Sequence, residues 1–417
     1  MSSEEEPKWF MDPKLLGAAI GLGLIYVLFM RGKKTNTYVA EEGDELSDYT
    51  DGGVMYDDKP VSERPIRLAK KGVAAHAAIT VCEQIARAAK RHGSDIAMRQ
   101  ERVNAATGEH EWVEWTWAEY YEQARCAAKA FIKLGLQPQD SVNIIGFNSP
   151  EWLIADIGAI LAGGLAAGIY STNSAEACAY VSKHSGGRVA VVEDEKQLAK
   201  FEEIAGDMDK LEAIVVYSHK YVSENRTDES PGIYSWAEFM AEGADEGEGD
   251  DATDWPSNEL EVRIDAQNAS DCCTLIYTSG TTGNPKAVMC SHDNVTWTGL
   301  SLLSQSQKDC KWGETAGGEH IVSYLPLSHI AAQMIDIHVP MHWAASSKYC
   351  GTTHFARRTA LKGTLGDTLR AVKPTLFFGV PRVWQKINEK IVATSKATPK
   401  SAVAQAIVDF AKSRGKA

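Results

Sequence analysis

The chain has 417 residues, 44% of them hydrophobic, which is enough for a large core or two to three structural units. Its net charge of −13 is carried by 18 of its 56 acids, which fall in residues 4–6, 41–58 and 241–255 with no Lys or Arg among them. The remainder is slightly basic, so the acidity marks solvated linkers and loops rather than a partner, and the lack of a basic stripe interleaved with aromatics argues against nucleic-acid binding.

In chain order, residues 15–30 form a charge-free apolar run flanked by Lys14 and by Arg31, Lys33 and Lys34. At 1.5 Å per residue it reaches roughly 24 Å, which Trp9, Phe10 and snorkelling lysines extend toward the ~30 Å of a bilayer core. No small-residue cleavage site follows, so it reads as an uncleaved membrane anchor rather than a signal peptide. The excess of basic charge after it directs the body to the cytoplasmic side of a membrane such as that of the endoplasmic reticulum or another organelle. This gives an anchor with its flanks over residues 1–34, an acidic tether over 35–65 and a folded body over 66–392, with a Lys/Ala-rich tail at 393–417.

The body opens with helical periodicity over 79–91 and a hairpin over 96–117 turning at 106–108. An amphipathic helix over 117–134 and a strand at 141–147 follow. Ser149-Pro150 then supplies an N-cap and first-turn proline for a helix over 151–162. Strands at 165–170, 188–193 and 211–217 alternate with a helix over 175–184. This order implies an α/β fold whose parallel sheet is covered on both faces. The acidic stretch 241–258 reads as an inserted loop, with a second unit starting near Val262. The eight cysteines show neither CxxC pairs nor Cys/His clusters of zinc spacing, and read as reduced thiols.

Chemistry concentrates after Cys272. The buried-strand pattern CCTLIYT (272–278) runs directly into Ser279-Gly280-Thr281-Thr282-Gly283-Asn284-Pro285-Lys286. Glycines let backbone N–H groups approach a phosphate, hydroxyls donate to its oxygens or bind Mg²⁺, and a lysine offsets its charge. A Walker loop is excluded by spacing, since Lys286 follows proline. A plain Gly/Ser/Thr-rich turn is the bland alternative, and the complete string weighs against it.

YTSGTTGNPKAVM (277–289) resembles the phosphate-binding motif of the adenylate-forming enzymes: acyl-CoA synthetases, luciferases and peptide-synthetase adenylation domains. Tyr324-Leu325-Pro326-Leu327-Ser328-His329-Ile330 is similar to the motif whose histidine borders the acyl and nucleotide pockets. Phe377-Phe378-Gly379-Val380-Pro381-Arg382-Val383-Trp384 resembles long-chain fatty acyl-CoA synthetases of bubblegum type, and residues 158–173 resemble the family's earlier helix–strand motif. The resemblance implies an α/β fold with a large adenylate-forming N-terminal domain, incomplete here, of parallel-rich sheets flanked by helices behind a single transmembrane helix. It implies ATP, Mg²⁺ and coenzyme A as cofactor and co-substrates of fatty-acid activation. Thr278, Ser279, Gly280, Thr281, Thr282 and Gly283 would wrap the β- and γ-phosphates. Lys286 would counter their charge, Thr282 would bind Mg²⁺, and His329 would sit beside the reacting carboxylate. Lys286, His329 and Thr282 are thus the catalytic candidates, while Gly379 and Val380 would line the acyl channel.

Each reading has a plainer rival. His329 also suits a half-buried histidine capping a turn after Pro326, and residues 377–384 suit simple core packing. His292, beside a Ser291 cap, and His354 read as surface or capping residues, and the Met and Trp residues of 334–343 as core. The family's acidic magnesium motif, ribose-binding aspartate and mobile lysine find no match after Trp384. The expectation is therefore an incomplete copy of a ligase, lacking residues to complete turnover; the alternative is a catalytically inactive, membrane-tethered acyl- or nucleotide-binding protein. Chain-length preference and oligomeric state have no signature in the sequence.

Overall fold

The computed structural model describes residues 75–104, 107–218, 221, 231–244, 258–278, 284–310 and 317–397. The anchor and tether expected over 1–65, most of the acidic insert, residues 279–283 and the end of the tail lie outside the described residues. Among the described residues no helix is long and apolar enough to cross a membrane. The chain divides into two compact units, residues 45–377 and a second to which residues 378–397 belong.

Within residues 45–377 the order is α1 (Val81–His92), β1 (Ile96–Val103), β2 (His110–Thr116), α2 (Trp117–Lys133), β3 (Ser141–Ile145), α3 (Pro150–Leu161) and β4 (Leu165–Ile169). There follow α4 (Ala175–Ser185), β5 (Gly187–Val192), α5 (Glu195–Ile204), β6 (Ala213–Val216), β7 (Gly232–Ser235), α6 (Trp236–Gly243), α7 (Glu259–Asp265), β8 (Cys272–Thr278) and β9 (Lys286–Ser291). The last elements are α8 (His292–Cys310), β10 (Glu319–Ser323), α9 (Ile330–Gln333), α10 (Val339–Ser346), β11 (Gly351–Phe355) and α11 (Leu365–Val372).

Two sheets result, one of seven strands in the order β7-β6-β5-β3-β4-β8-β9 and one of four in the order β10-β11-β1-β2. The larger is parallel except where β9 runs antiparallel to β8, and the smaller is parallel except for the β1–β2 hairpin. Side chains alternate across the larger sheet as a two-residue period demands. Val189 and Val191 of β5 and Ala213 and Val215 of β6 pack with Ile85, Phe131 and Trp152 of α1–α3. Ala190, Val192, Ile214 and Val216 pack with Val181 and Phe201 of α4 and α5 on the opposite face. All of α3 is buried, matching its near-continuous apolar sequence, and the Trp152 amide donates to Ser149 Oγ at 3.2 Å to cap it.

The separate unit expected near Val262 does not form. Val262 lies within α7, whose Arg263 donates to the carbonyls of Leu136 and Ala162 at 2.8 and 3.2 Å. The next strand, β8, pairs with β4 in the same sheet. An acidic, loop-like stretch hid the continuity because sheet neighbours are set by long-range pairing, not by local composition.

Candidate functional site

The glycine-rich segment leaves the carboxyl end of β8, where open parallel sheets bind ligands. Residues 273–277 are buried, whereas Thr278 and Lys286 are exposed. These two residues are direct cross-strand partners, with Thr278 Oγ1 donating to the Lys286 carbonyl at 3.4 Å. Directly opposed residues on antiparallel strands project from the same face. One hydroxyl and one ammonium therefore flank the ends of the Ser279–Gly283 segment, a donor set that fits a polyphosphate and its hard cation.

An aromatic prop supports the exit of that segment. Tyr180 of α4 donates its hydroxyl to the Pro285 carbonyl at 3.0 Å and stacks on His184, centroid to centroid 5.5 Å. His184 Nδ1 lies 2.9 Å from the Tyr277 hydroxyl, which also reaches the Val181 carbonyl at 3.3 Å. The sequence reading passed over Tyr180 and His184. Their spacing of four along α4 was the available signal, since it puts both rings on one helix face.

The segment carrying His329 crosses the end of β4, the strand beside β8. A Cβ added at Gly168 would lie 2.8 Å from Ser328 Cα, so only glycine permits this approach. Asn148, just beyond β3, donates to Ser323 Oγ at 2.7 Å and to the Leu325 carbonyl at 2.8 Å. Ser323 in turn donates to Asp336 Oδ2 at 2.7 Å. Asp336 sits in a single π-helical turn, Met334–His338, and burial pushes its pKa up to about 8. The carboxyl ends of β3 and β10 are thus tied together beneath residues 324–329. Asn148 and Asp336 were also missed; a polar residue inside an apolar stretch was the only hint.

His329 performs the capping role weighed from sequence, since its Nδ1 accepts from the Ala331 amide at 3.1 Å and α9 begins there. Burial lowers its pKa, which favours the neutral ring. With Nδ1 accepting, the neutral ring carries its proton on Nε2 and offers a hydrogen-bond donor. Capping and ligand contact are therefore compatible uses of its two nitrogens.

His292 and His354 are not surface residues, being 1% and 3% exposed. Ser291 does cap α8, its Oγ accepting from the Asn294 amide at 3.1 Å, but His292 turns inward and accepts from the Val81 amide at 3.1 Å. His354 Nε2 lies 2.9 Å from His320 Nδ1, with Trp112 edge-on at 5.8 Å. Burial lowers the pKa of His292 to about 4 and that of His354 to about 3. Met334, Met341 and Trp343 are core, as read from sequence.

Gly379 and Val380 belong to the second unit, where they lead into α12 (Pro381–Ala397). Trp384 Nε1 donates to the Gly379 carbonyl at 2.9 Å and the Val383 amide to the Val380 carbonyl at 2.9 Å.

The model of a family described as AMP-binding enzyme matches residues 85–412. Among curated proteins, the chain is 45% identical over 332 residues to the long-chain-fatty-acid–CoA ligase ACSBG2 of Xenopus laevis, covering 79% of this chain and 40% of that protein. It is 43% identical over 331 residues to human ACSBG2, covering 79% and 45%. The chain thus spans under half the length of these relatives. Among solved structures, the adenylation domain of a carboxylate reductase from Mycobacterium chelonae superposes with a TM-score of 0.58 at 19% identity, covering 81% of this chain and 51% of that one.

Proposed function

The chain belongs to the AMP-binding enzyme family, to its adenylate-forming members of bubblegum type, and on that premise we propose that it serves the ATP-dependent activation of long-chain fatty acids to acyl-CoA. The fatty carboxylate attacks the α-phosphate of ATP, expelling pyrophosphate, and the thiol of coenzyme A then takes the acyl group and releases AMP. Support comes chiefly from the paired Thr278 and Lys286 at the carboxyl edge of a parallel sheet, on either side of Ser279, Gly280, Thr281, Thr282 and Gly283. In this reading the segment's hydroxyls and amides bind the β- and γ-phosphates and Lys286 offsets the charge that moves onto pyrophosphate. Thr282 would hold Mg²⁺, which would spread that same charge. His329 donates from Nε2 to the acyl carboxylate, lowering the repulsion it meets on approaching the phosphate, and Gly379 and Val380 line the acyl channel.

The membrane reading extends this proposal. Residues 15–30 anchor the protein at an organelle surface where its substrate partitions, with the body in the cytoplasm. Its support is the charge-free run and its basic flanks. Alkaline carbonate extraction should leave the protein in the membrane pellet and release a variant without residues 1–34.

Fatty-acid-dependent exchange of pyrophosphate into ATP tests the chemistry. Lys286→Ala should lower exchange about 10²–10³-fold, the usual cost of one electrostatic group. No exchange from the native protein with any acyl chain length, or full exchange by Lys286→Ala, would remove the assignment.

A further inference from the structure

Although the sequence has no Cys/His cluster of zinc spacing, folding assembles a donor cluster at the start of β1 and β11 in the four-stranded sheet, whereas β8 and β9 belong to the other. His92 ends α1, Asp95 follows in the turn, and Cys350 arrives just before β11. Their ligand atoms lie within 4.8 Å of one another, and among the described residues no other His/Cys/Asp/Glu group is so arranged. Parallel pairing of β1 with β11 joins these segments, reinforced by Thr352 Oγ1 donating to the Ile96 carbonyl at 2.8 Å.

The tautomer of His92 is fixed by its surroundings. Nε2 lies 3.1 Å from the Ser347 carbonyl, a group that only accepts, so Nε2 carries a proton. Arg91 Nε donates to the same carbonyl at 2.8 Å and holds it in place. In the neutral ring Nδ1 is then a lone pair, and it faces Asp95 Oδ2 at 2.7 Å. Two acceptors at that separation share a proton or a metal ion. A carbonyl orienting one imidazole nitrogen so that the other can ligate is the usual support of a metal-bound histidine.

Trp117 provides an independent observation. Its indole is 2% exposed, and its Nε1–H has no hydrogen-bond partner. Burial pushes the Cys350 thiol up to about 11, outweighing the lowering effect of the nearby Trp117 N–H. Cys350 is itself a buried, free thiol. The cluster borders a cavity of about 330 Å³ lined by Asp95, Arg99, Glu114, His320, Cys350 and Thr352, in which the Arg99 guanidinium is paired with Glu114.

We propose that His92 Nδ1, Asp95 and Cys350 Sγ form a binding site for a zinc-class divalent cation, with its fourth position open to this cavity. A mixed N/O/S donor set suits Zn²⁺ and not Mg²⁺, which takes oxygen ligands, so the site is chemically distinct from one for the magnesium of ATP. Thiolate is the ligating form of cysteine, so binding releases the proton of the Cys350 thiol to solvent. The ion pins the end of α1 to the start of β11.

Cobalt(II) is the probe, added to the metal-free, tag-free 417-residue chain. About one equivalent should bind with a thiolate-to-cobalt charge-transfer band in the near ultraviolet, and Zn²⁺ but not Mg²⁺ should displace it. Cys350→Ser should abolish the band. Asp95→Asn changes a half-exposed side chain that the fold tolerates, and should weaken cobalt binding about 10–100-fold while the circular dichroism is unchanged. No charge-transfer band, a full-strength band in Cys350→Ser, equal displacement by Mg²⁺, or unchanged affinity in Asp95→Asn would each overturn the site.

Discussion

The two sheets of the larger unit are assembled from the chain in opposite ways. The seven-stranded sheet takes five of its strands from a continuous stretch, β3 to β7, and its centre is aliphatic on both faces. The four-stranded sheet joins β1 and β2 to β10 and β11, strands from the far end of the described chain, and several histidines pack around it. The segments carrying His338 and His342 pack on β10 and β11, and burial lowers the pKa of each to about 4. The first sheet is built largely from local pattern and the second from long-range contact.

If the sheets nonetheless form one cooperative body, damage to the second must reach the first. Trp343 is fully buried, and a Cβ at Gly351 of β11 would come 2.7 Å from its ring. Trp343→Ala should cost about 3–5 kcal/mol. Hydrogen exchange then decides the matter: loss of protection in β5 as well as β11 means one unfolding unit, while loss in β11 alone means two.

Acidity probes the same contrast. Below pH 6.5, the ordinary histidine value, the unfolded chain protonates while the four buried rings resist to about 4 or 3, so their contribution is present above pH 6.5 and lost as pH falls. Asp336 and Asp156, raised by burial to about 8 and about 7, run oppositely: their neutral forms favour the fold, and that benefit fades as pH climbs from 3.8. Four groups outweigh two in the acid range, and only the carboxyls titrate above it. Stability should peak near pH 6.5 and drop by about 1–3 kcal/mol within two pH units on the acid side. Denaturant midpoints across pH 4.5–8 measure it, and Asp336→Asn, which keeps an acceptor for Ser323, should flatten the alkaline limb.

Smaller effects are expected where the sheets meet. Asn148→Ala leaves Ser323 and the Leu325 carbonyl short of a donor and should cost about 1–3 kcal/mol, lowering activity through the displaced His329 segment. Tyr180→Phe deletes one hydrogen bond to Pro285 and should cost about 0.5–1.5 kcal/mol, raising KM for ATP more than it lowers kcat. Equal changes in both constants would mean that Tyr180 does not position the segment.

Legibility in the sequence follows the same division. Ser149 and Pro150, the short apolar strand at 188–193 and the β1–β2 hairpin are stated by neighbouring residues, and the structure places them so. Thr278 and Lys286 are legible because a strand runs into a distinctive string. His292 and His354 were misjudged because a histidine's burial depends on partners such as Val81 and His320, which no local pattern names. Asn148 stayed hidden for the same reason, since its partners Ser323 and Leu325 lie 175 and 177 positions away.

The parallel pairing of β1 with β11 also sets a schedule for biosynthesis. Ile96 and Thr352, which close that ladder, stand 256 positions apart, so at ~5–20 residues per second the ribosome needs about 13–50 s to supply the second after the first. During that interval the β1–β2 ribbon has one edge waiting for a neighbour that does not yet exist, a template for mispairing with other nascent chains. Slower elongation should therefore lower the soluble yield, and chaperones that shield strand edges should restore it.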